Sequence, residues 1–185
     1  MKLLDLAAAA FSLLTLVHAV PVPQIPSGPK ILSATTISQY SVYTGAIDFD
    51  TPSGEIFKTD GPPPSSDITT LVTFDLPAAA ATQTCAFHFN LAPGSTLTGS
   101  GLFDVFTSLQ PATESTTTWP PGNQRNNQVG RLQAAIGEAT YVSGFPNSVQ
   151  SFPCPSGTWA IELVGVYDND DIEWDGANSG PYIVW

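Results

Sequence analysis

Apolar and polar residues alternate every second position in several short stretches of this chain, and no stretch carries a sustained helical period. The clearest is Cys85–Leu91. Cys85, Phe87, Phe89 and Leu91 fall on one face of an extended segment, and Ala86, His88 and Asn90 on the other. Trp159, Ile161 and Leu163 alternate with Ala160, Glu162 and Val164. Ile172 and Trp174 alternate with Asp171, Glu173 and Asp175. Ile37–Val42, Ile68–Phe74, Leu102–Phe106, Val129–Ile136, Ala139–Val142 and Pro181–Val184 add shorter strands. Turn residues separate them, so the pattern predicts a single-domain, all-β antiparallel β-sandwich.

Pairing follows from the turns. A Thr51-Pro-Ser-Gly54 turn predicts that Ala46–Phe49 and Glu55–Lys58 form a hairpin. Asp168-Asn169-Asp170 predicts a second hairpin, joining the Trp159 and Trp174 strands with an acidic outer edge. Pro153 and Pro155 bracket Cys154 and hold that segment extended, outside any central ladder. Gln110–Gln128 reads as one long polar loop, the kind of segment in which function often resides.

The first residues change the picture of where the protein works. Lys2 precedes an apolar run, Leu6–Val17, and Val17-His18-Ala19 is a small-residue cleavage site. Residues 1–19 therefore read as a signal peptide, and the protein as secreted to the exterior or the cell wall. Residues 20–35 read as a proline-rich linker, with Pro21, Pro23, Pro26 and Pro29, and residues 36–185 as the folded domain. The apolar run is shorter than the ~20 residues of a membrane-spanning helix. The C-terminal Gly180–Trp185 lacks the longer apolar tail of a lipid-anchor signal. The expectation is a released monomer.

Two cysteines in an oxidising compartment point to one disulfide, Cys85–Cys154, with two buried thiols as the alternative. The formal charge is −11. Beyond Lys2 the cations are Lys30, Lys58, Arg125 and Arg131. This excludes a nucleic-acid partner, which needs clustered cations, and an anionic membrane surface. The hydroxyl-rich Thr113–Thr118 is a candidate for O-linked sugars.

Catalytic chemistry has little to draw on. His88 is the one histidine past the cleavage site, and no Gly-x-Ser-x-Gly elbow accompanies it. No zinc ligand set is present. Glu162 facing Asp171, Glu173 and Asp175 across a groove would give the paired carboxylates of a glycosidase. Asp168, Asp170, Asp171 and Glu173 are the candidate calcium ligands, although their spacing is not that of an EF-hand and a solvated acidic turn is the plainer account. Trp119, in the long polar loop, is the aromatic least explained by packing and the candidate glycan-stacking ring.

Several of these pieces occur together in one known family. Thr84-Cys-Ala-Phe-His-Phe89, Gly99-x-Gly-Leu-Phe-Asp-Val-Phe106, Gly130-Arg-Leu132, Phe152-Pro-Cys-Pro-x-Gly157, Glu162 and Asp171-Ile-Glu-Trp174 resemble the C-terminal domain family of the fungal ubiquitin-three-binding ("But-two") protein. The resemblance covers about residues 68–183. It implies a fungal, secreted, small β-rich domain with a disulfide, and no defined activity. Ubiquitin-like conjugation is intracellular, and an exported chain would not meet it, so that partner is not carried over. The resulting expectation is a non-enzymatic binding or structural module, with cell-wall polysaccharide or a host surface component as partner. An effector or elicitor recognised by a host is the alternative, and a glycan-active enzyme the third reading.

Overall fold

The computed structural model describes residues 28–61, 66–118, 125–167 and 169–185. The expected signal peptide at 1–19, residues 20–27 of the expected linker, Trp119 and Asp168 lie outside the described residues. The strands are β1 (Ile31–Ser33), β2 (Thr36–Ser41), β3 (Ile47–Asp48), β4 (Ser53–Lys58) and β5 (Ile68–Leu76). They continue with β6 (Thr84–Leu91), β7 (Thr96–Thr98), β8 (Leu102–Ser108), β9 (Arg125–Gln133) and β10 (Gly137–Glu138). The last are β11 (Thr140–Tyr141), β12 (Phe152–Pro153), β13 (Gly157–Gly165), β14 (Asp170–Asp175) and β15 (Gly180–Val184). Two single-turn 3-10 segments, Ala78–Ala80 and Ser148–Gln150, are the helical elements among the described residues.

The predicted all-β sandwich is what forms, and its named strand pairs are antiparallel. One sheet has five strands, in the order β1-β15-β6-β10, with β12 on β6. The other is a curled ten-stranded sheet, β11-β9-β8-β13-β5-β4-β14-β7, with β2 on β5 and β3 on β2. The core lies between them. Phe87, Phe89 and Leu91 of β6 and Ile183 of β15 meet Phe74, Phe103, Leu132, Ile161, Leu163 and Trp174. Each fully buried side chain of this size contributes about 1.5–3 kcal/mol relative to exposure. Phe89 stands edge-on to Trp174 with ring centroids 5.0 Å apart, a favoured aromatic geometry.

Cys85 and Cys154 are disulfide-bonded and both buried. Phe152 pairs with Cys85, and the Cys154 amide donates to the Gln83 carbonyl at 3.0 Å, so the proline-flanked segment joins only the end of β6. The folded part begins upstream of the expected residue 36. Ile31–Ser33 pairs with Tyr182–Val184, because Ile31 and Leu32 can extend the small sheet before the prolines stop the chain.

Neither expected hairpin forms. β3 pairs with β2, through Tyr40 and Ile47, while β4 pairs with β14 along its whole length. β13 is flanked by β5 and β8, so the chain leaves it after Gly165 and crosses to β14 in a different part of the curled sheet. Alternation specifies the face a residue takes and leaves the neighbouring strand open. The expected loop at 110–128 is also shorter, since β9 starts at Arg125. Its described part roofs the outer face of the large sheet. Ala112 joins a second small core with Tyr40, Ile47 and Leu71, and the Ile47 amide donates to the Thr117 carbonyl at 2.9 Å.

Candidate functional site

The acid row of β14 divides between the two faces of its strand. Asp170, Ile172 and Trp174 are buried, and Asp171, Glu173 and Asp175 point outward. The Asp170 carboxylate accepts from the Ser100 amide, from the Ser100 hydroxyl at 2.6 Å and from the Gly101 amide at 3.3 Å. It thereby holds the β7–β8 turn. Gly99 (φ +76°) sits directly against it, where any Cβ would meet the Asp170 carboxylate and the Asn169 carbonyl.

This division separates the candidate calcium ligands. Asp170 faces the turn it holds, Asp171 and Glu173 face outward, and Asp168 is outside the described residues. A hard cation needs its oxygens to converge, and successive residues of a strand diverge. Among the described residues no group of three or more His, Cys, Asp or Glu is placed to hold a metal ion.

On the outer side Glu173 lies directly across from Glu55 of β4, with Asp171 two residues away on the same face. Partial burial, then the neighbouring charges of Asp171 and Glu173, raise the Glu55 pKa above the usual carboxylate range. Burial followed by Glu173 does the same for Asp171. Like charges placed opposite each other on a sheet destabilise it.

The row runs into a cleft of about 490 Å³ at one end of the sandwich, between the β6–β7 and β14–β15 turns. Its lining includes Ser53, Ser95, Thr96, Asn178 and Ser179, with Glu173, Trp174 and Asp175 from β14. Asp175 shapes the cleft by fixing the β14–β15 turn: its carboxylate accepts from the Ala177 amide at 3.0 Å and the Asn178 side chain at 2.9 Å. The Ser179 hydroxyl ties the opposite turn by accepting from the Ala92 amide at 2.7 Å. Trp174 is clasped between Gly54 and Gly180, where a Cβ at either position would run into the ring. The ring is 1% exposed, and its Nε1–H has no hydrogen-bond partner among the described residues.

Glu162 does not face the acid row. It is fully buried on the outer face of the large sheet, where its carboxylate accepts from Arg125 Nε at 2.8 Å, Arg125 Nη2 at 2.6 Å and Thr69 Oγ1 at 2.7 Å. Those bonds push the Arg125 pKa up further. The paired-carboxylate geometry of a glycosidase is therefore not formed by Glu162 with β14. His88 lies on the outer face of the small sheet, 2.8 Å from Glu138 and stacked on Tyr182. Tyr182 in turn donates to Glu138 at 2.8 Å, and burial followed by that bond pushes its pKa up to about 12.

Among the described residues the lysines and arginines are all engaged. Lys30 lies 4.3 Å over the Trp185 ring, Lys58 is 3.4 Å from Asp67, and Arg131 makes a two-pronged pair with Asp104. The Arg125 and Arg131 pairs escaped the sequence analysis because their acidic partners are far away along the chain. The cleft escaped it because Ser53, the 92–96 turn and the 178–179 turn look like ordinary loop residues. The one signal for it was the shared outward face of Asp171, Glu173 and Asp175.

Fold and site together define a disulfide-linked, antiparallel β-sandwich with an acidic, hydroxyl-lined cleft at one end. The chain belongs to the family of the Ubiquitin 3 binding protein But2 C-terminal domain, whose model matches residues 46–178. The match begins upstream of the expected residue 68 and ends just before β15. No curated protein matches the chain.

Proposed function

We propose that this member of the family works outside the cell, as a non-enzymatic binding module of the fungal cell wall with wall polysaccharide as its ligand. The observation that supports the reading is the end cleft, which offers hydroxyls, an amide and carboxylates in a volume suited to a small ligand or a short stretch of polymer. The export signal in residues 1–19 supports the location. A module of this kind needs a rigid scaffold, and the buried Cys85–Cys154 bridge and doubly layered core supply one. Glu162 is held by Arg125 and Thr69, and His88 by Glu138, so neither side chain stands beside the cleft as an acid or base.

The family name speaks of ubiquitin 3 binding and supports a second reading, a protein partner of ubiquitin type. One experiment addresses both. Purified secreted protein is incubated with insoluble chitin, β-glucan and mannan, and separately passed over immobilised ubiquitin-like protein. Retention on at least one polysaccharide is the expected result. Passage through all three polysaccharides would refute the wall reading, and capture by the ubiquitin-like surface would then favour the second.

A further inference from the structure

Tyr182 stands on the outer face of the small sheet, beside a second cavity of about 310 Å³ that adjoins the end cleft. On the reading that the protein binds wall polysaccharide, we propose that the sugar chain continues from the end cleft into this cavity, where one pyranose unit stacks on the Tyr182 ring. The ligand this selects is a linear, β-linked polymer of glucose type, several units long.

The setting of the ring is the first argument. Tyr182 lies across from His88 on one side and from Ser33 on the other. His88 stacks on it, with ring centroids 5.1 Å apart and planes 18° from parallel. Tyr182, Ser33 and Ile31 line the cavity and His88 does not. The ring face turned away from His88 is therefore on the cavity side, above a small residue of an edge strand. Glu138 fixes the ring in place: it accepts from the Tyr182 hydroxyl at 2.8 Å and lies 2.8 Å from His88 Nδ1. A ring already held in one orientation loses little freedom on binding. Its face is electron-rich, and the C–H face of a pyranose with equatorial hydroxyls complements it.

Continuity is the second, independent argument. Asn178 and Ser179 line both the end cleft and this cavity, so the two meet at the β14–β15 turn. Asp175 holds that turn through the Ala177 amide and the Asn178 side chain. A compact ligand fills one of the two cavities, whereas a polymer can occupy both. The lining also offers Ser33 and Asn90, whose side chains have no hydrogen-bond partner among the described residues and suit sugar hydroxyls. Ile31, 70% exposed, is the strongly exposed apolar residue there. One such residue is a poor match for the apolar anchors on which peptide recognition depends.

The test is calorimetric titration of the purified, disulfide-intact protein with two-unit and six-unit oligomers of β-glucan and of N-acetylglucosamine. In at least one series the six-unit oligomer should bind about tenfold more tightly than the two-unit one. Tyr182→Ala should remove that gain, while Tyr182→Phe, which keeps the ring, should stay within about threefold of the parent. Ser33→Leu should also remove it, by covering the free ring face with an aliphatic side chain; Ser33 is exposed on an edge strand, so this variant should fold even if Tyr182→Ala does not. Tyr43→Ala, which deletes a 58% exposed ring outside both cavities, should leave the gain unchanged. Parent-like six-unit binding in Ser33→Leu or in folded Tyr182→Ala, or an equal loss in Tyr43→Ala, would overturn the proposal. Retention on an insoluble wall polysaccharide without any gain from oligomer length would remove this inference and leave the wall reading standing. Binding of no oligomer and retention on no polysaccharide would remove both.

Discussion

Replacing Arg125 by alanine would strand the Glu162 carboxylate in the protein. That side chain is fully buried, and two of its three named hydrogen bonds come from the Arg125 guanidinium, at 2.8 and 2.6 Å. Only the Thr69 hydroxyl, at 2.7 Å, would remain of those three. Removing one partner of a buried pair costs about 3–5 kcal/mol. The Arg125 side chain is 38% exposed, so water can enter its place, and the cost is set lower, at about 2–4 kcal/mol. With a urea m-value of about 2 kcal/mol/M, the midpoint should fall by about 1–2 M. Tryptophan fluorescence follows the transition, since Trp174 is buried in the core and Trp159 packs against it. The double variant Arg125→Ala/Glu162→Gln removes the charge that was stranded. It should recover at least about 1 kcal/mol over Arg125→Ala alone. A midpoint shift in Arg125→Ala of less than about 0.3 M, or no recovery in the double variant, would refute the argument.

Three further outcomes follow from the geometry. Loss of the Cys85–Cys154 bridge, which closes a loop with a separation of 69 residues, should cost about 4 kcal/mol and lower the thermal midpoint by about 10 °C; a loss under about 1 kcal/mol in the double alanine variant would show that the unfolded chain is already ordered there. Asp170→Ala deprives Ser100 and Gly101 of their acceptor and should cost about 2–4 kcal/mol, with a chelator leaving the parent's midpoint unchanged; a chelator-sensitive parent would return the turn to a metal-binding role. Glu55 and Asp171 have folded pKa values above their unfolded ones, so they destabilise the fold at neutral pH, and that penalty disappears as pH falls through the raised values towards the ordinary carboxylate range. Glu55→Gln should therefore raise stability by about 0.2–1 kcal/mol at pH 7 and by nothing once the carboxylates are protonated; a gain of equal size at both pH values contradicts the charge argument.

The parts of the fold that were legible in the sequence are those that a period of two specifies. Cys85–Leu91, Trp159–Leu163 and Ile172–Trp174 put the predicted faces into the core. Strand neighbours were not legible, because β4 and β14 are far apart in sequence and nothing in either names the other. That pairing places Glu55 opposite Glu173, and it could not have been foreseen from the Asp171–Asp175 alternation alone. The polar start of β9, Arg125-Asn-Asn-Gln128, carries no apolar alternation and so looked like loop. It is a strand because Arg125 reaches a buried carboxylate on β13.

The β1–β15 pair carries a consequence for how the chain reaches this state. Lys30 and Trp185 exchange backbone hydrogen bonds at 2.8 and 3.0 Å, and Ile31 sits opposite Val184. The first strand of the small sheet thus has no neighbour until the last has been synthesised. β6, the strand that bears most of the core aromatics, likewise waits for β15 along one of its edges. Such distant pairings make folding slow, because the entropy of closing a long loop must be met before the contacts form. Assembly of this sheet has to wait for β15, and the disulfide between β6 and the β12 segment can tether the unfinished half until that strand arrives.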